Sequence, residues 1–145
     1  MEAPVSLAAY APGIFLLGGA QGAIVSAATG EVAAPVDSVP GRPARPAHRG
    51  ESVSIYCTGL GEVTHRPRTG EPAWGDLLSF TTTLPTVTIG GVPGEVSFSG
   101  LAPGFVGLYQ VNVEVPASTT TGDAVPLVLT IGGVTANPVT VAVGQ

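Results

Sequence analysis

The stretch YQVNVEV at residues 109–115 places Tyr and three Val on one side and Gln, Asn and Glu on the other. This period of two is the pattern of a β-strand with one buried face, because successive side chains point to opposite faces of a sheet. Pro116 follows at once and ends the strand. A second run, SVSIYCT at residues 52–58, repeats the alternation with Val, Ile and Cys on its apolar side. Two half-buried strands are therefore predicted.

The motif TIGGV occurs twice, at residues 88–92 and 130–134. Gly-Gly between alternating apolar segments is a common signal for a two-residue hairpin turn. The flanking alternation covers residues 87–98 in the first copy and 127–143 in the second. Two copies are fewer than the roughly three repeats that a solenoid requires. We therefore expect two similar hairpins in an all-β fold, an immunoglobulin-like antiparallel β-sandwich with long surface loops.

The length of the chain fits one domain, so residues 1–145 are predicted to form a single sandwich module. Its main sandwich is expected over residues 51–145. Residues 18–50 are rich in glycine and proline and sustain no clear period, which predicts an irregular excursion. Residues 61–76 are predicted to form a second polar loop.

The N-terminal strand region, residues 1–17, leaves two assignments open. PVSLA at residues 4–8 resembles PVTVA at residues 138–142, near the other end of the chain. The first segment could pair in the sheet of this module, or it could be the last strand of a preceding module in a tandem array. Proline is common at strand starts, so the similarity is also compatible with two ordinary strands.

Composition excludes several classes of partner. Only 10% of the residues are charged, against roughly 25% in typical domains, so the surface is expected to be largely neutral. The net charge of −5 and the sequence pI of about 4.7 argue against nucleic-acid binding, which needs a broad basic surface. The most apolar stretch, residues 8–28, is broken by Pro12 and several glycines, so neither a membrane span nor a signal peptide is predicted.

No recognisable catalytic or metal site is predicted, so the chain is not expected to be an enzyme or to need a cofactor. His48, Cys57 and His65 match no ligand spacing, and Cys57 lies on the inward face of its predicted strand. A nucleophile elbow of the Gly-x-Ser-x-Gly type is missing from the sequence. The carboxylates of the 61–76 loop are interpreted as salt-bridged, solvated charges rather than as a glycosidase pair.

Five side chains are candidates for ligand binding. Trp74 lies in the loop EPAWGD, Tyr56 lies on the outward face of its strand, and flat aromatic rings of this kind stack on sugars. Phe105 is a further aromatic candidate, and Arg66 and Arg68 could bind polar groups of the same ligand. A lone Trp also commonly fills the edge of a core, so both roles stay open for it.

A separate basic segment, RPAR at residues 42–45, lies in the excursion. It could present guanidinium groups to an acidic glycan or protein, because the guanidinium fork matches a carboxylate. The simpler interpretation is a solvated, semi-rigid loop.

Several segments together resemble a known family. APGIF at residues 11–15, QGAI at 21–24, RGE at 49–51, IYCTGLG at 55–61 and GFVGLYQVNV at 104–113 are similar to the uncharacterised C-terminal domain of exported acidobacterial, Solibacter-type, proteins. The resemblance runs nearly end to end and carries no activity. It implies an exported protein, a position beside other domains of a larger chain, and an IPT/TIG type of immunoglobulin-like domain. Cys57 and the long loop from residue 65 to 76 depart from the family pattern.

The expected function is a non-catalytic extracellular accessory module that acts as a spacer, an adhesion element or a cell-surface retention domain. Its partners would be neighbouring domains of the larger chain, and localisation at the cell surface or outside the cell follows from the resemblance. One alternative is a carbohydrate-binding module whose loop aromatics bind a polysaccharide or a cell-surface glycan. A further alternative is a self-assembling subunit that pairs through an edge strand.

Overall fold

Two multistranded sheets pack face to face in the computed structural model, which describes residues 9–145. These residues form strands, turns and loops, and they include no helix of the length and apolarity needed to cross a membrane. The strands are β1 (Gly13–Ile14), β2 (Leu16–Gly18), β3 (Gln21–Gly22), β4 (Ile24–Ser26), β5 (Val32–Ala33), β6 (Ala44–Arg45), β7 (Ala47–His48), β8 (Ser52–Thr58), β9 (Thr86–Ile89), β10 (Val92–Pro93), β11 (Val96–Leu101), β12 (Tyr109–Glu114), β13 (Gly122–Ile131), β14 (Val134–Thr135) and β15 (Val139–Gly144).

The first sheet has the strand order β11-β12-β8-β4-β5-β6, and β1 also pairs with β8. The second sheet has the order β10-β9-β13-β15-β3-β2, with β14 paired to β13 and β7 paired to β15. The long central pairs are antiparallel, as predicted. Three short pairs at the periphery are parallel: β5 with β6, β15 with β3, and β15 with β7.

The core lies between the sheets and is built by the alternation seen in the sequence. Val53, Ile55 and Cys57 of β8 are fully buried, and Val111 and Val113 of the adjacent β12 point the same way. From the other sheet, β13 and β15 bury alternate residues against them. Each fully buried Val or Ile side chain contributes about 1.5–3 kcal/mol of transfer free energy. The predicted all-β sandwich is confirmed.

Both Gly-Gly turns form, but the two hairpins differ. Each turn has two residues with positive φ, 62° and 78° at Gly90-Gly91 and 57° and 79° at Gly132-Gly133, which is the type I′ geometry. After the second turn the chain stays in its own sheet. After the first turn only two residue pairs form before Gly94, and β11 then joins the opposite sheet. The prediction that residues 87–98 form one hairpin was therefore wrong beyond the turn.

The segment at residues 18–50, predicted to be irregular, contains β3 to β7 and contributes to both sheets. Each of these strands spans two or three residues, too short for a period to show in the sequence. Part of the segment also covers the outer face of the first sheet. A second apolar cluster forms there, composed of Leu17, Val25, Val32, Ala34, Val39, Ala44 and Tyr56.

The start of the described chain belongs to this module's own sheet. Gly13 and Ile14 pair with Thr58 and Cys57 of β8. The side chain of Asn137 extends this attachment: its Oδ1 accepts from the Ile14 amide at 2.8 Å and its Nδ2 donates to the Ile14 carbonyl at 3.1 Å. The PVSLA segment at residues 4–8, whose assignment was left open, lies outside the described residues.

The sheet edges bear on the self-assembly alternative. The edge strands β6 and β10 have two residues each, and Pro93 in β10 has no amide to donate. The longer edge strand, β11, is bonded on its open side to residues 79–81. Within residues 9–145, no long strand therefore offers a fully open edge to a second chain.

Candidate functional site

Two loops meet at the end of the sandwich where β8 ends. The first loop, residues 59–82, is attached to the edge of β11, because the Leu101 amide donates to the Ser79 carbonyl at 2.9 Å and the Thr81 amide to the Ser99 carbonyl at 2.9 Å. The approach is close enough to require glycine at position 100, where a Cβ would lie 2.1 Å from the Ser79 oxygen. The loop predicted at residues 61–76 is thus held at a defined position on the sheet.

The same loop folds back on itself and contacts the second loop, residues 102–108. The Thr64 amide donates to the Phe80 carbonyl at 2.8 Å, which makes residues 62–64 the outermost segment of this edge. The buried Ala73 donates to the Phe105 carbonyl at 3.0 Å and accepts from the Gly104 amide at 2.9 Å. Backbone hydrogen bonds therefore bring the Trp74 and Phe105 loops side by side.

A groove with a volume of about 730 Å³ lies between these two loops and Tyr109, the first residue of β12. Tyr109 is half-buried in its wall, and its hydroxyl donates to the Gly61 carbonyl at 2.6 Å. Burial raises the pKa of Tyr109, so the phenol stays protonated. The lining residues are Ala9, Ala11, Gly59, Gly61, Glu62, Val63, Arg66, Pro67, Arg68, Thr69, Gly70, Glu71, Leu101, Val106, Gly107 and Tyr109.

Four charged side chains line the groove: Glu62, Arg66, Arg68 and Glu71. All four residues are exposed. Within residues 9–145, none of them makes a side-chain hydrogen bond or an ion pair. Within the described residues, Glu62 and Glu71 are therefore not salt-bridged, contrary to the expectation, and the groove offers donors and acceptors that residues 9–145 leave unbonded.

Four of the five predicted binding residues lie at this end of the sandwich. Arg66 and Arg68 line the groove, 40% of the Trp74 surface is exposed, and 55% of the Phe105 surface is exposed. Trp74 and Phe105 are not themselves in the lining; they follow or precede lining segments in the two joined loops.

Tyr56 does not belong to this group. It points to the outer face of the first sheet, as the alternation predicts, but the excursion covers that face and leaves Tyr56 half-buried in the second apolar cluster. The prediction that Tyr56 is a solvent-facing binding residue was wrong. The alternation of β8 shows only that Tyr56 points away from the core, and the excursion, which is distant in sequence, covers that outer face.

Sequence reasoning also missed members of the site. Glu62 and Glu71 were treated as solvated loop charges, and Tyr109 as a core residue of its strand. The available signal was the glycine pair that follows β8. Gly59 and Gly61 have φ of 78° and 85°, and a Cβ on Gly59 would lie 1.9 Å from the Ala11 carbonyl oxygen, which marks a tight reversal beside a close backbone neighbour.

The basic segment of the excursion is used internally, at the opposite end of β8. Arg45 donates from Nη1 and Nη2 to the two oxygens of Glu51 at 2.9 and 2.6 Å, and from Nε to Glu31 at 3.1 Å. We call Arg45, Glu31 and Glu51 the Arg45 cluster. Glu51 also accepts from the Ser26 hydroxyl and from the His48 amide. Arg45 is half-buried and paired with protein carboxylates. It therefore fits neither of the two earlier interpretations, a group that binds an acidic ligand or a residue of a solvated loop.

The electrostatics of the Arg45 cluster follow from these bonds. Hydrogen bonding to Arg45 holds the pKa of Glu51 at about 2, well below its usual value. The same bond raises the pKa of Arg45. Nearby, Arg49 donates from Nε and Nη2 to the carbonyl of the buried Thr119 at 3.0 and 2.6 Å.

The side chains considered for metal binding are far apart in the fold. Cys57 is fully buried in the core, where burial raises the pKa of its thiol to about 12. His48 and His65 are exposed at opposite ends of β8. In the part of the chain that the structure describes, no three His, Cys, Asp or Glu side chains are grouped as a metal site.

Comparison of the chain with models of protein families, with curated proteins and with solved structures found no match.

Proposed function

We propose that this chain is a non-catalytic accessory module of a larger exported protein, and that it binds a carbohydrate in the groove between the loops at residues 59–82 and 102–108. The observation that carries the proposal is the set of guanidinium and carboxylate groups in that groove that form no ion pair within residues 9–145, next to the exposed rings of Trp74 and Phe105. A rigid sandwich that presents such groups on loops is a common arrangement for binding.

Carbohydrate is the ligand class that fits this mixture of side chains. Each sugar hydroxyl both donates and accepts, so it can be bonded by an arginine and by a glutamate together. The apolar face of a sugar ring packs on a flat aromatic side chain, and Trp74 and Phe105 have exposed surface for such contact.

Binding without turnover is proposed because none of the described lining residues is a histidine, serine or cysteine, so no Ser–His or Cys–His pair lines the groove. Glu62 and Glu71 are the groups that could act on a glycosidic bond. A reducing-end assay on any polysaccharide that binds therefore accompanies the binding measurements, and a steady release of reducing ends would contradict the proposed role.

The extracellular and accessory parts of the proposal rest on the resemblance to exported acidobacterial domains. Burial of Cys57 in the core is compatible with them, because burial raises the pKa of its thiol to about 12 and so disfavours the reactive thiolate in any compartment. In this role the sandwich spaces neighbouring domains and the groove attaches the larger protein to a polysaccharide or cell-surface glycan.

The test is a polysaccharide binding screen by affinity electrophoresis and calorimetry, with Trp74→Ala as the first variant. Loss of one stacking platform is expected to lower affinity about 3- to 10-fold. The matched control is Phe15→Ala, since Phe15 is an aromatic residue of similar exposure, 49%, that lies outside both loops of the site. Equal affinity of Trp74→Ala and the unmodified chain would remove Trp74 from the site, and a screen without any binding would reject the proposed function.

A further inference from the structure

The charged side chains that line the groove within residues 9–145 balance. Arg66 and Arg68 contribute two positive charges, and Glu62 and Glu71 contribute two negative charges. A site built for an acidic ligand would carry an excess of positive charge. The whole chain is acidic as well, with a net charge of −5, so its long-range field also repels a polyanion.

One turn places opposite charges next to each other. The Glu71 amide donates to the Arg68 carbonyl at 2.9 Å, so residues 68–71 form a β-turn whose first and last residues are Arg68 and Glu71. The Cα atoms of the first and last residues of a β-turn lie within about 7 Å of each other. The two side chains are nevertheless exposed and not bonded to each other. The turn therefore presents one free donor fork and one free acceptor pair at short separation.

We infer that the groove selects an uncharged polysaccharide and binds adjacent hydroxyl pairs, with guanidinium donors and carboxylate acceptors acting on neighbouring hydroxyls. This inference rests on the proposed carbohydrate-binding function and names its substrate class. A guanidinium donates to one hydroxyl oxygen, while the neighbouring hydroxyl donates its proton to a carboxylate. Arg68 and Glu71 are the pair that the turn geometry favours for this role.

Acidic polysaccharides are excluded by the same groups. A uronate carboxylate bound to Arg66 or Arg68 would lie in the groove that also holds Glu62 and Glu71. The negative charges of the ligand and of these two glutamates would repel each other. Loss of a groove carboxylate should therefore have opposite effects on the two ligand classes. It removes an acceptor that an uncharged glycan uses, and it removes a repulsion that an acidic glycan experiences.

The experiment compares matched polymers on the full chain. Hydroxyethyl cellulose and carboxymethyl cellulose share a backbone and differ in charge; galactomannan and polygalacturonate add a second neutral and acidic pair. Affinities are measured at 50 and 500 mM NaCl for the unmodified chain and for Glu71→Gln. Arg42→Ala serves as the matched surface control, because Arg42 is exposed and lies outside the groove.

We expect binding to a neutral polymer, less than a twofold change of that affinity with salt, and a loss of tenfold or more in Glu71→Gln. Thermal unfolding of Glu71→Gln should match that of the unmodified chain, because Glu71 is exposed and makes no side-chain bond in residues 9–145. Equal or stronger binding of the acidic polymers by the unmodified chain, weaker acidic binding by Glu71→Gln, or unchanged neutral binding by that variant would overturn the inference and leave the proposed function standing. Failure to bind any polysaccharide would instead reject the proposed function.

Discussion

The two ends of β8 carry the same residue types in opposite states. At its start, the Arg45 cluster joins a guanidinium to two glutamates, with 25% of the Arg45 side chain and 14% of the Glu51 side chain exposed. Past its other end, roughly 25 Å away at 3.3 Å per residue, the groove arginines and glutamates are exposed and form no ion pair within residues 9–145.

This difference indicates different roles: the Arg45 cluster contributes to stability, and the groove charges are the ones proposed to bind a ligand. A half-buried ion pair has already lost much of its hydration, so its partners depend on each other. Exposed, unpaired charges contribute little to folding and remain free to bond a ligand. The presence of arginines therefore does not by itself identify a binding site in this chain. What identifies it is whether each arginine is paired with a protein carboxylate.

The largest expected effect is on stability, at the Arg45 cluster. Arg45→Ala leaves the Glu51 carboxylate half-buried without its cation, and we expect a loss of about 3 kcal/mol in the free energy of unfolding. Urea denaturation measures it, with Arg42→Ala as the control expected to change stability by less than about 0.5 kcal/mol. Ligand affinity of Arg45→Ala should stay unchanged. Equal stability of the two variants would mean that the cluster does not hold the excursion to the sheet.

The next effect is a loss of stability in acid. The pKa of Glu51 is lowered in the folded chain from 4.5 to about 2, so the unfolded chain takes up this proton at a higher pH than the folded chain does. The resulting stabilisation, about 3 kcal/mol, is present above pH 4.5 and is lost as the pH falls towards 2. Denaturation at a series of pH values measures it. Glu51→Gln should be less stable at neutral pH and should lose this part of the acid dependence, and an unchanged pH slope would contradict the assignment.

A smaller effect, on affinity alone, is expected in the groove. The double variant Arg66→Ala with Arg68→Ala removes both guanidinium groups, and we expect affinity for a bound polysaccharide to fall at least tenfold, which corresponds to about 1.4 kcal/mol. Isothermal calorimetry gives the affinity, and the urea midpoint should not move. A shift of the urea midpoint as large as that of Arg45→Ala would show that the groove arginines also stabilise the fold, and that the two ends of β8 do not differ in this respect.

Much of the sandwich is predictable because its central strands are long. Residues 52–58 and 109–115 alternate over enough positions to reveal which face is buried, and both Gly-Gly turns are found from local chemistry. The strands of the excursion contain two or three residues each, and a period of two cannot be recognised over so few positions. The path of the chain after Gly90-Gly91 also cannot be predicted from the sequence. Alternation shows which face of a strand is buried, but it does not show which of the two sheets the strand joins.

The candidate site was predictable only as a set of loops. Trp74, Phe105, Arg66 and Arg68 were selected because loops carry such side chains at binding surfaces. Glu62 and Tyr109 could not be selected in this way, because their place in the groove depends on hydrogen bonds between residues far apart in sequence, such as that from Tyr109 to Gly61.

The sequence by itself determines the β class, the inward residues of the central strands and the two type I′ turns, because each depends on neighbours within a few positions. The tertiary structure alone decides that the TIGGV copies have different continuations, that Tyr56 is covered, and that Arg45 is paired while Arg66 and Arg68 form no ion pair within residues 9–145. Those outcomes depend on contacts across the sandwich, where the partner of a side chain is set by the packing of distant strands rather than by the residues beside it.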